Sequence, residues 1–305
     1  MAGILIYSDK TSYAFELISA AKLTGKEIKA ISINDSEQAE AISQKGAEVH
    51  KIENTNISLA DPAAVAETIK QAAEQLGTDV IFLSSNRRGK EVAGRVAQKL
   101  GAGCLTNVSA LNINGDKIEG VRNALGGATV ATQTVESEKQ IIALSPKSFA
   151  PAEDAAGSVQ DISVDVTPTV KFMGTKAKET DSVDIEAAEV LVAVGQGLDE
   201  QADLKKVEAI AKALGGEVAC SKPVATDKKW LSEERIIGIS GKTCKPELAV
   251  LMGISGQVQF VAGIRDAKTI VAINSDENAI IMSMADYVLV ADLKDALPEL
   301  EKALA

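Results

Sequence analysis

Apolar positions along the chain recur in two ways, as short uninterrupted runs and as longer stretches repeating every three to four residues. "GILIYS" is a run of the first kind. "YAFELISAAKLTG" is of the second, with Phe15, Leu17, Ile18 and Ala21 on one helical face and a stop at Gly25. The alternation continues through a strand at "IKAISI", a helix around 37–45, and a strand at "AEVHKI". Asp61-Pro62 then opens a helix over "AAVAETIKQAAEQLG", before the strand "DVIFLSS" and the helix "GKEVAGRVAQKLG". Such alternation predicts a mostly parallel sheet covered on both faces. From about residue 105 the pattern changes. "KIEGVRNALGGATVATQTV", "QIIALSP" and "ISVDVTPTVKFMGTKAKE" read as strands without helices between them, predicting antiparallel pieces at the edge of that sheet. "SFAPAEDAAGS" reads as a surface loop by its composition.

The charged stretch "KETDSVDIEAA" marks a boundary, which divides the chain into domains of 1–180 and 181–305. The second domain repeats the alternation: "VLVAVG" as strand, "DLKKVEAIAKALG" as helix, "EVACS" as strand, and "KPVATDKKWLSEE" as loop. It continues with "RIIGIS", "ELAVLMGIS", a helix near 256–264, "TIVAIN", "DYVLVADL" and a closing helix "ALPELEKALA". The expected fold class is α/β, two doubly wound domains.

Charge and composition narrow the function. Acidic residues number 43 against 32 basic ones, for a net charge of −11 and a pI near 4.8. That balance argues against a nucleic-acid binder or a polybasic membrane anchor. "MAGILIYSDK" lacks a cationic start followed by a long apolar stretch, and no apolar run approaches the roughly 18 residues of a membrane span. Cys104, Cys220 and Cys244 lie far apart without a CxxC pair, and His50 is the sole histidine. Disulfides, a zinc site and a Ser-His-Asp hydrolase are therefore not expected; a cytoplasmic location is.

The tetrapeptide Gly-Ile-Ser-Gly occurs twice, at 238–241 and 253–256, each copy after an apolar run. Glycines there permit close approach of backbone to a ligand, and a following helix start favours an anion. The second copy, read as a turn between the strand "ELAVLM" and the helix "QVQFVAGI", suits this. The first cannot open a long helix because Pro246 follows, and reads as a loop presenting Ser240 and Lys242. Ordinary glycine turns explain both copies equally well. "GISGKT" is not a Walker A loop, since Ile236 stands where its first glycine is needed, and "GQGLDE" (195–200) departs from GxGxxG at Glu200. From the residues alone, Asn274 reads as a strand-end turn residue and Asp292 as a helix N-cap. His50 reads as a surface residue, Trp230 as loop packing, Cys220 as buried strand packing, and "NRRGK" (86–90) as a structural or interfacial cluster.

The strings "EVACSKPVATDKKW", "PELAVLMGISGQVQF", "IVAINSDENAIIMSMADYVLVADL" and "LPEL", with "SSNRRGKEVAGRVAQKLGAGCLTNVSAL" in the first domain, carry a resemblance. The chain is similar to the alpha subunit of the electron transfer flavoproteins, in the FixB-type branch. The resemblance implies a nucleotide-alpha-hydrolase-like first domain and a Rossmann-like second domain that binds FAD. It also implies pairing with a beta subunit, and electron transfer between dehydrogenases, such as the acyl-CoA type, and a later acceptor. It places Ile237, Gly238, Ile239, Ser240, Gly241 and Lys242 against the isoalloxazine, with the Ser240 hydroxyl near flavin N5. Gly253, Ser255, Gly256, Gln257, Val258, Gln259 and Phe260 would hold the ribityl-pyrophosphate part. Gln196, Gly197, Ser221 and Lys222 would face the ring, and Asn274, Asp292 and Leu293 the adenosine end. Alternatives are a stand-alone flavin-dependent oxidoreductase, a bifurcating member with a second FAD in the beta subunit, and a binding paralogue without a redox role.

Four positions depart from the pattern of the family: Gln196 and Lys222 stand where arginines are usual, Ile239 where glutamine is, and Phe260 where histidine is. Together they remove cations or donors from the implied flavin environment, and Lys222 lacks the planar guanidinium fork. Since reduction builds negative charge on the ring, the expectation is a reduction potential below that of typical relatives. A redox titration of the flavin-loaded protein checks this, and a potential at or above theirs overturns it.

Overall fold

Residues that alternate along each strand decide the layering. In β1 (Ile4–Tyr7), Ile4 and Ile6 belong to one buried cluster, and Leu5 and Tyr7 to another. A strand buried on both faces needs cover on both, which is what the apolar run encodes. The computed structural model describes residues 3–127, 129–174 and 183–304. They fall into two compact units, residues 1–175 and 176–305. The boundary expected at 180/181 lies outside the described residues.

In the first unit, β1 is followed by α1 (Thr11–Lys22), β2 (Ile28–Ile33), α2 (Ser36–Ser43), β3 (Glu48–Ile52), α3 (Pro62–Leu76), β4 (Val80–Ser84) and α4 (Arg87–Leu100). The strands β5 (Gly103–Asn114), β6 (Lys117–Ala124), β7 (Thr129–Thr134), β8 (Gln140–Leu144) and β9 (Ser158–Asp161) complete it. Among the described residues they form a nine-stranded sheet in the order β7-β6-β5-β8-β4-β1-β2-β3-β9. Helices α3 and α4 bury Val65, Ile69, Val92 and Val96 against one face, and α1 and α2 bury Leu17, Ile18 and Ile42 against the other. Side-chain caps start three of the helices: Asp35 accepts from the Gln38 amide, Asp61 from Ala63 and Ala64, and Asn86 from Gly89.

The antiparallel edge is present as β5-β6-β7, but three expectations need correction. First, β8 is not an edge piece: it runs parallel between β5 and β4, with Ile141 to Leu144 all buried. Its unbroken apolar run is the signature of an interior parallel strand. Second, "ISVDVTPTVKFMGTKAKE" is not a strand over the residues described, 162–174. Val164 and Val166 do point into the core in strand-like alternation. The backbone there, however, bonds side chains, with Gln71 Nε2 donating to the Asp165 carbonyl (2.7 Å) and Gln75 Nε2 to that of Ser163 (3.0 Å). The end of that string, 175–179, lies outside the described residues.

Third, His50 is not on the surface: it is 3 % exposed, on β3, which β9 pairs in parallel so that it lies inside the sheet. Burial pushes its pKa below the ordinary value, against the opposing pull of Glu48, whose Oε1 lies 3.1 Å from Nε2. His50 is therefore folded in its neutral form, and acid that charges it works against the native state.

The second unit contains β10 (Val190–Val194), α5 (Leu204–Ala213), β11 (Glu217–Cys220), α6 (Lys222–Thr226), β12 (Leu248–Met252), α7 (Val258–Val261), β13 (Thr269–Asn274), α8 (Ile280–Met284), β14 (Tyr287–Val290) and α9 (Leu293–Leu304). Five parallel strands lie in the order β11-β10-β12-β13-β14. One face is covered by α5 and α9 through Val207, Ile210, Ala296 and Leu297, and the other by Phe260, Val261, Ile264, Ile281 and Met282. Here too the sequence reading needs adjustment. "RIIGIS" makes only the isolated bridges Cys220–Ile236 and Ile237–Lys242. The helix expected near 256–264 shrinks to the four residues of α7, while α6 and α8 are short helices that the pattern did not predict.

Asp61 joins the two kinds of bonding in the first unit. Besides capping α3, its carboxylate, 1 % exposed, accepts from the amides of Thr169 (2.7 Å) and Val170 (3.0 Å) and from the Thr169 hydroxyl. Burial pushes the carboxyl pKa up, but these hydrogen bonds outweigh it and hold the group at about 2, from 3.8. A depressed carboxylate pKa contributes stability that is present above the unfolded value and is lost as pH falls through the folded one. Asp61→Asn is therefore expected to cost about 2 kcal/mol near neutral pH, with the difference from wild type shrinking between 3.8 and about 2. Urea unfolding of both proteins across that range measures it.

Candidate functional site

Every strand of the second sheet ends on the same side, since all five are parallel. From β10 the chain reaches β11 on one side and later β12 on the other, so the crevice beyond β10 and β12 is the switch point where ligands bind in such sheets. All twenty residues singled out in the sequence lie at that end. Gln196 and Gly197 follow β10, and Ser221 and Lys222 follow β11. Gly253, Ser255, Gly256, Gln257, Val258, Gln259 and Phe260 follow β12, Asn274 ends β13, and Asp292 and Leu293 follow β14. The segment Ile237 to Lys242 joins them because the Ile237 amide donates to Cys220 O (3.0 Å) at the end of β11.

The loops after β10 and β12 cross backbone to backbone. The amides of Gly195 and Gly197 donate to Met252 O (2.9 Å) and Gly253 O (3.0 Å). A Cβ added at Gly197 would stand 2.8 Å from Gly253 Cα, and one at Gly195 would stand 2.2 Å from Gly253 O. Gly253 itself has φ +62°, and Leu293 packs beneath it. Only glycines allow this approach.

The first Gly-Ile-Ser-Gly copy meets the segment that follows the second. The Ile239 amide donates to Gln259 O (2.9 Å), and a Cβ at Gly238, which has φ +134°, would stand 2.5 Å from that oxygen. Gly238 and Gly241 close a tight turn, with Gly241 N donating to Gly238 O (3.0 Å) and Lys242 N to Ile236 O (2.8 Å). The turn leaves Ile239, Ser240 and Gly241 exposed; Ile239 is 66 % exposed, an apolar side chain held out at the rim of the site. Lys242 Nζ lies 3.8 Å from Glu234.

The second copy carries backbone donors of its own. Among the described residues the amides of Ser255, Gly256 and Gln257 find no backbone acceptor, and Gly256 has φ +84°. Successive free amides around a left-handed residue form a concave nest for an anion. Ser255 and Gln257 are exposed beside them. The backbone behind this copy is pinned: Asn274 Nδ2 donates to Ile254 O (2.9 Å), and Ile281 N to Ser255 O (3.2 Å).

Some side chains are committed elsewhere. Asn274 is 9 % exposed, and its Oδ1 accepts from Asp276 N (3.0 Å), so it acts as a strand-end turn residue. Asp292 Oδ1 accepts from Lys294 N (2.9 Å), which makes it the cap of α9, although the residue remains exposed. Phe260 is buried in the core on one face of the sheet rather than pointing out of it. Cys220 is fully buried, and burial pushes its thiol up to about 12 against the pull of Arg235, so it is packing and not a nucleophile. The residue that the sequence reading missed is Lys228, whose ammonium donates to the carbonyls of Gln196 (3.3 Å) and Leu198 (2.6 Å). Backbone acceptors leave no mark in a sequence, so no pattern could have shown it. Among the described residues no cluster of three or more His, Cys, Asp or Glu could hold a metal ion.

The glycine crossing sets a testable ordering. Gly215 and Gly253 both have left-handed φ, but a Cβ at Gly215 meets nothing within 4 Å, whereas one at Gly253 meets Gly197 backbone at 2.8 Å. Gly215→Ala is expected to cost about 1 kcal/mol from backbone strain, and Gly253→Ala about twice that or more. Urea midpoints of the two variants decide it.

Comparison with known proteins agrees with this architecture. Residues 10–169 match the electron transfer flavoprotein domain, and residues 184–265 match the electron transfer flavoprotein FAD-binding domain. Protein FixB of Salmonella typhimurium is 33 % identical over 311 aligned positions, covering 100 % of this chain and 98 % of that one. Protein FixB of Escherichia coli O157:H7 is 33 % identical over 310, covering 99 % and 98 %. The glycine loops at the switch point thus lie largely within the stretch matched to the FAD-binding domain. The chain belongs to the electron transfer flavoprotein family, as an alpha-subunit-like member of the FixB type.

Proposed function

We propose that this chain is the FAD-carrying alpha subunit of a two-subunit electron carrier, taking electrons from a dehydrogenase and handing them to a later acceptor. The observation that carries the reading is the free amide nest of Ser255, Gly256 and Gln257 beside the Gly197–Gly253 crossing. It offers a donor set suited to a pyrophosphate, at a crevice whose walls only glycines could line. Bound FAD supplies the one- and two-electron chemistry. The chain's own residues bind and orient it. The turn at Gly238 to Lys242 lies against the ring, with the Ser240 hydroxyl and the Ile239 side chain presented outward, and Ser221, Lys222, Gln196 and Gly197 border it. Gln257, Val258 and Gln259 continue the wall from the nest, with Phe260 in the core behind them, while Asn274, Asp292 and Leu293 close the adenosine end.

The charge around the loops comes from lysines 222, 228 and 242, which favour electron density on a ring placed there. Of the three, Lys242 is partly offset by Glu234. The sole histidine, His50, is buried in the other unit, so the loops carry lysines and carboxylates without an imidazole, which supports a carrier over an oxidoreductase with its own substrate.

A beta-type partner is supported by β14. This edge strand exposes Tyr287 (67 %), Val288 (54 %), Leu289 (44 %) and Val290 (55 %), an apolar row with unpaired backbone along one side. Edges of this kind are normally covered. A cytoplasmic location is in keeping with Cys104, Cys220 and Cys244 forming no disulfide. Among the described residues no helix is long and apolar enough to cross a membrane.

Purifying the chain with its beta-type partner and quantifying released flavin tests the proposal. About one FAD per heterodimer is expected, and about two would indicate a second FAD in the partner. A colourless complex that takes up no added FAD overturns the reading, and NADH oxidation by this chain alone would favour the stand-alone oxidoreductase.

A further inference from the structure

Lys228 stands out because its ammonium is fully engaged by neutral groups. It donates to Leu198 O at 2.6 Å and to Gln196 O at 3.3 Å, and lies 4.2 Å from the centre of the Trp230 ring. Two donors go to the loop, and the charge rests on the indole face. The chain reversal that brings Lys228 and Trp230 together is itself ordered. Lys228 N and Asp227 N both donate to Pro223 O, Trp230 N donates to Val224 O, and Lys229 between them has φ 56°. Trp230 packs against the core on the α5 side of the sheet. No carboxylate among the described residues forms an ion pair with Lys228.

The loop that Lys228 holds is the one that crosses Gly253. Its carbonyls at 196 and 198 are taken by the lysine, its amides at 195 and 197 are taken by β12 and Gly253, and the Gln196 amide has no backbone acceptor among the described residues. We propose that Lys228, seated on Trp230, is a positioning residue that fixes the Gly195–Leu198 loop, so that the Gln196 amide faces the cofactor and a positive charge stands behind it. The cofactor half of this proposal rests on the FAD reading above; the clamp on the loop does not.

The test uses the full-length chain with its partner subunit, comparing wild type, Lys228→Met and Lys228→Arg. Methionine keeps the packing on Trp230 without the charge, and arginine keeps the charge. In flavin-free protein, amide hydrogen exchange at Gly197 and Leu198 is expected to quicken about tenfold in Lys228→Met, as befits a lost charged hydrogen bond. Exchange in β12 should stay unchanged, and Lys228→Arg should behave as wild type. Unchanged exchange at 197 and 198, or equally faster exchange throughout the unit, overturns the clamp. In flavin titrations the Kd for FAD is expected to rise about tenfold in Lys228→Met and to recover in Lys228→Arg. Equal affinity in all three proteins overturns the cofactor role. Wild type that binds no FAD at all overturns the FAD reading and the cofactor role with it, while the exchange result still decides the clamp.

Discussion

The close crossing of two loops at Gly197 and Gly253 is the contact on which the C-terminal site depends. Parallel strands β10 and β12 are neighbours, so the chain leaving each has to turn away at the same edge of the sheet. Any side chain at 195, 197 or 253 would push the turns apart, since a Cβ at these positions would come within 3 Å of backbone. With glycines in place, the Gly197 amide reaches Gly253 O and the two turns become one surface. The rest follows from that closure. Leu293 can pack under Gly253, Asn274 can brace Ile254, and the amides of 255–257 are left without a backbone acceptor among the described residues.

The two sheets handle backbone polarity differently at their carboxyl ends. In the first unit, side chains beyond β1 and β4 bond one another. Ser8 bonds Ser84 (3.1 Å), Asn86 Nδ2 donates to Asp9 (2.9 Å), and Asn86 Oδ1 caps α4, so the basic start of that helix meets a carboxylate from its own chain. In the second unit the amides of 255–257 find no backbone acceptor among the described residues. A protein leaves buried-edge donors unmet chiefly where something else will meet them. The match of residues 184–265 to an FAD-binding domain falls on the second unit, where the glycine loops lie.

The departures from the family pattern look different in three dimensions than they do as letters. Phe260 is not a ring neighbour lacking a donor; it is a core residue, packed with Val261 and Ile264. Ile239 is the reverse, an apolar side chain held in the open by a turn that its own amide anchors to Gln259. Gln196 brings no charge of its own, yet its carbonyl carries the ammonium of Lys228. Local electrostatics at such a site belongs to the loop assembly as much as to the residue at any one position.

The residue pattern by itself determined the two α/β units, most strands and longer helices, the antiparallel edge, and the gathering of the glycine loops at strand ends. These rest on periodicity, helix caps and glycine, which act over a few residues. What only the tertiary structure decided depends on partners distant in the chain. His50 is buried on β3, which lies inside the sheet because β9, more than a hundred residues later, pairs with it. The alternation of 162–166 mimics a strand, but its backbone finds Gln71 and Gln75 instead of a ladder. The apolar run of β8 marks an interior strand, but only the fold decided that it slots between β4 and β5. Lys228 became part of the site only when its loop folded back on Trp230, because a lysine bonded to carbonyls has no partner that a sequence can display.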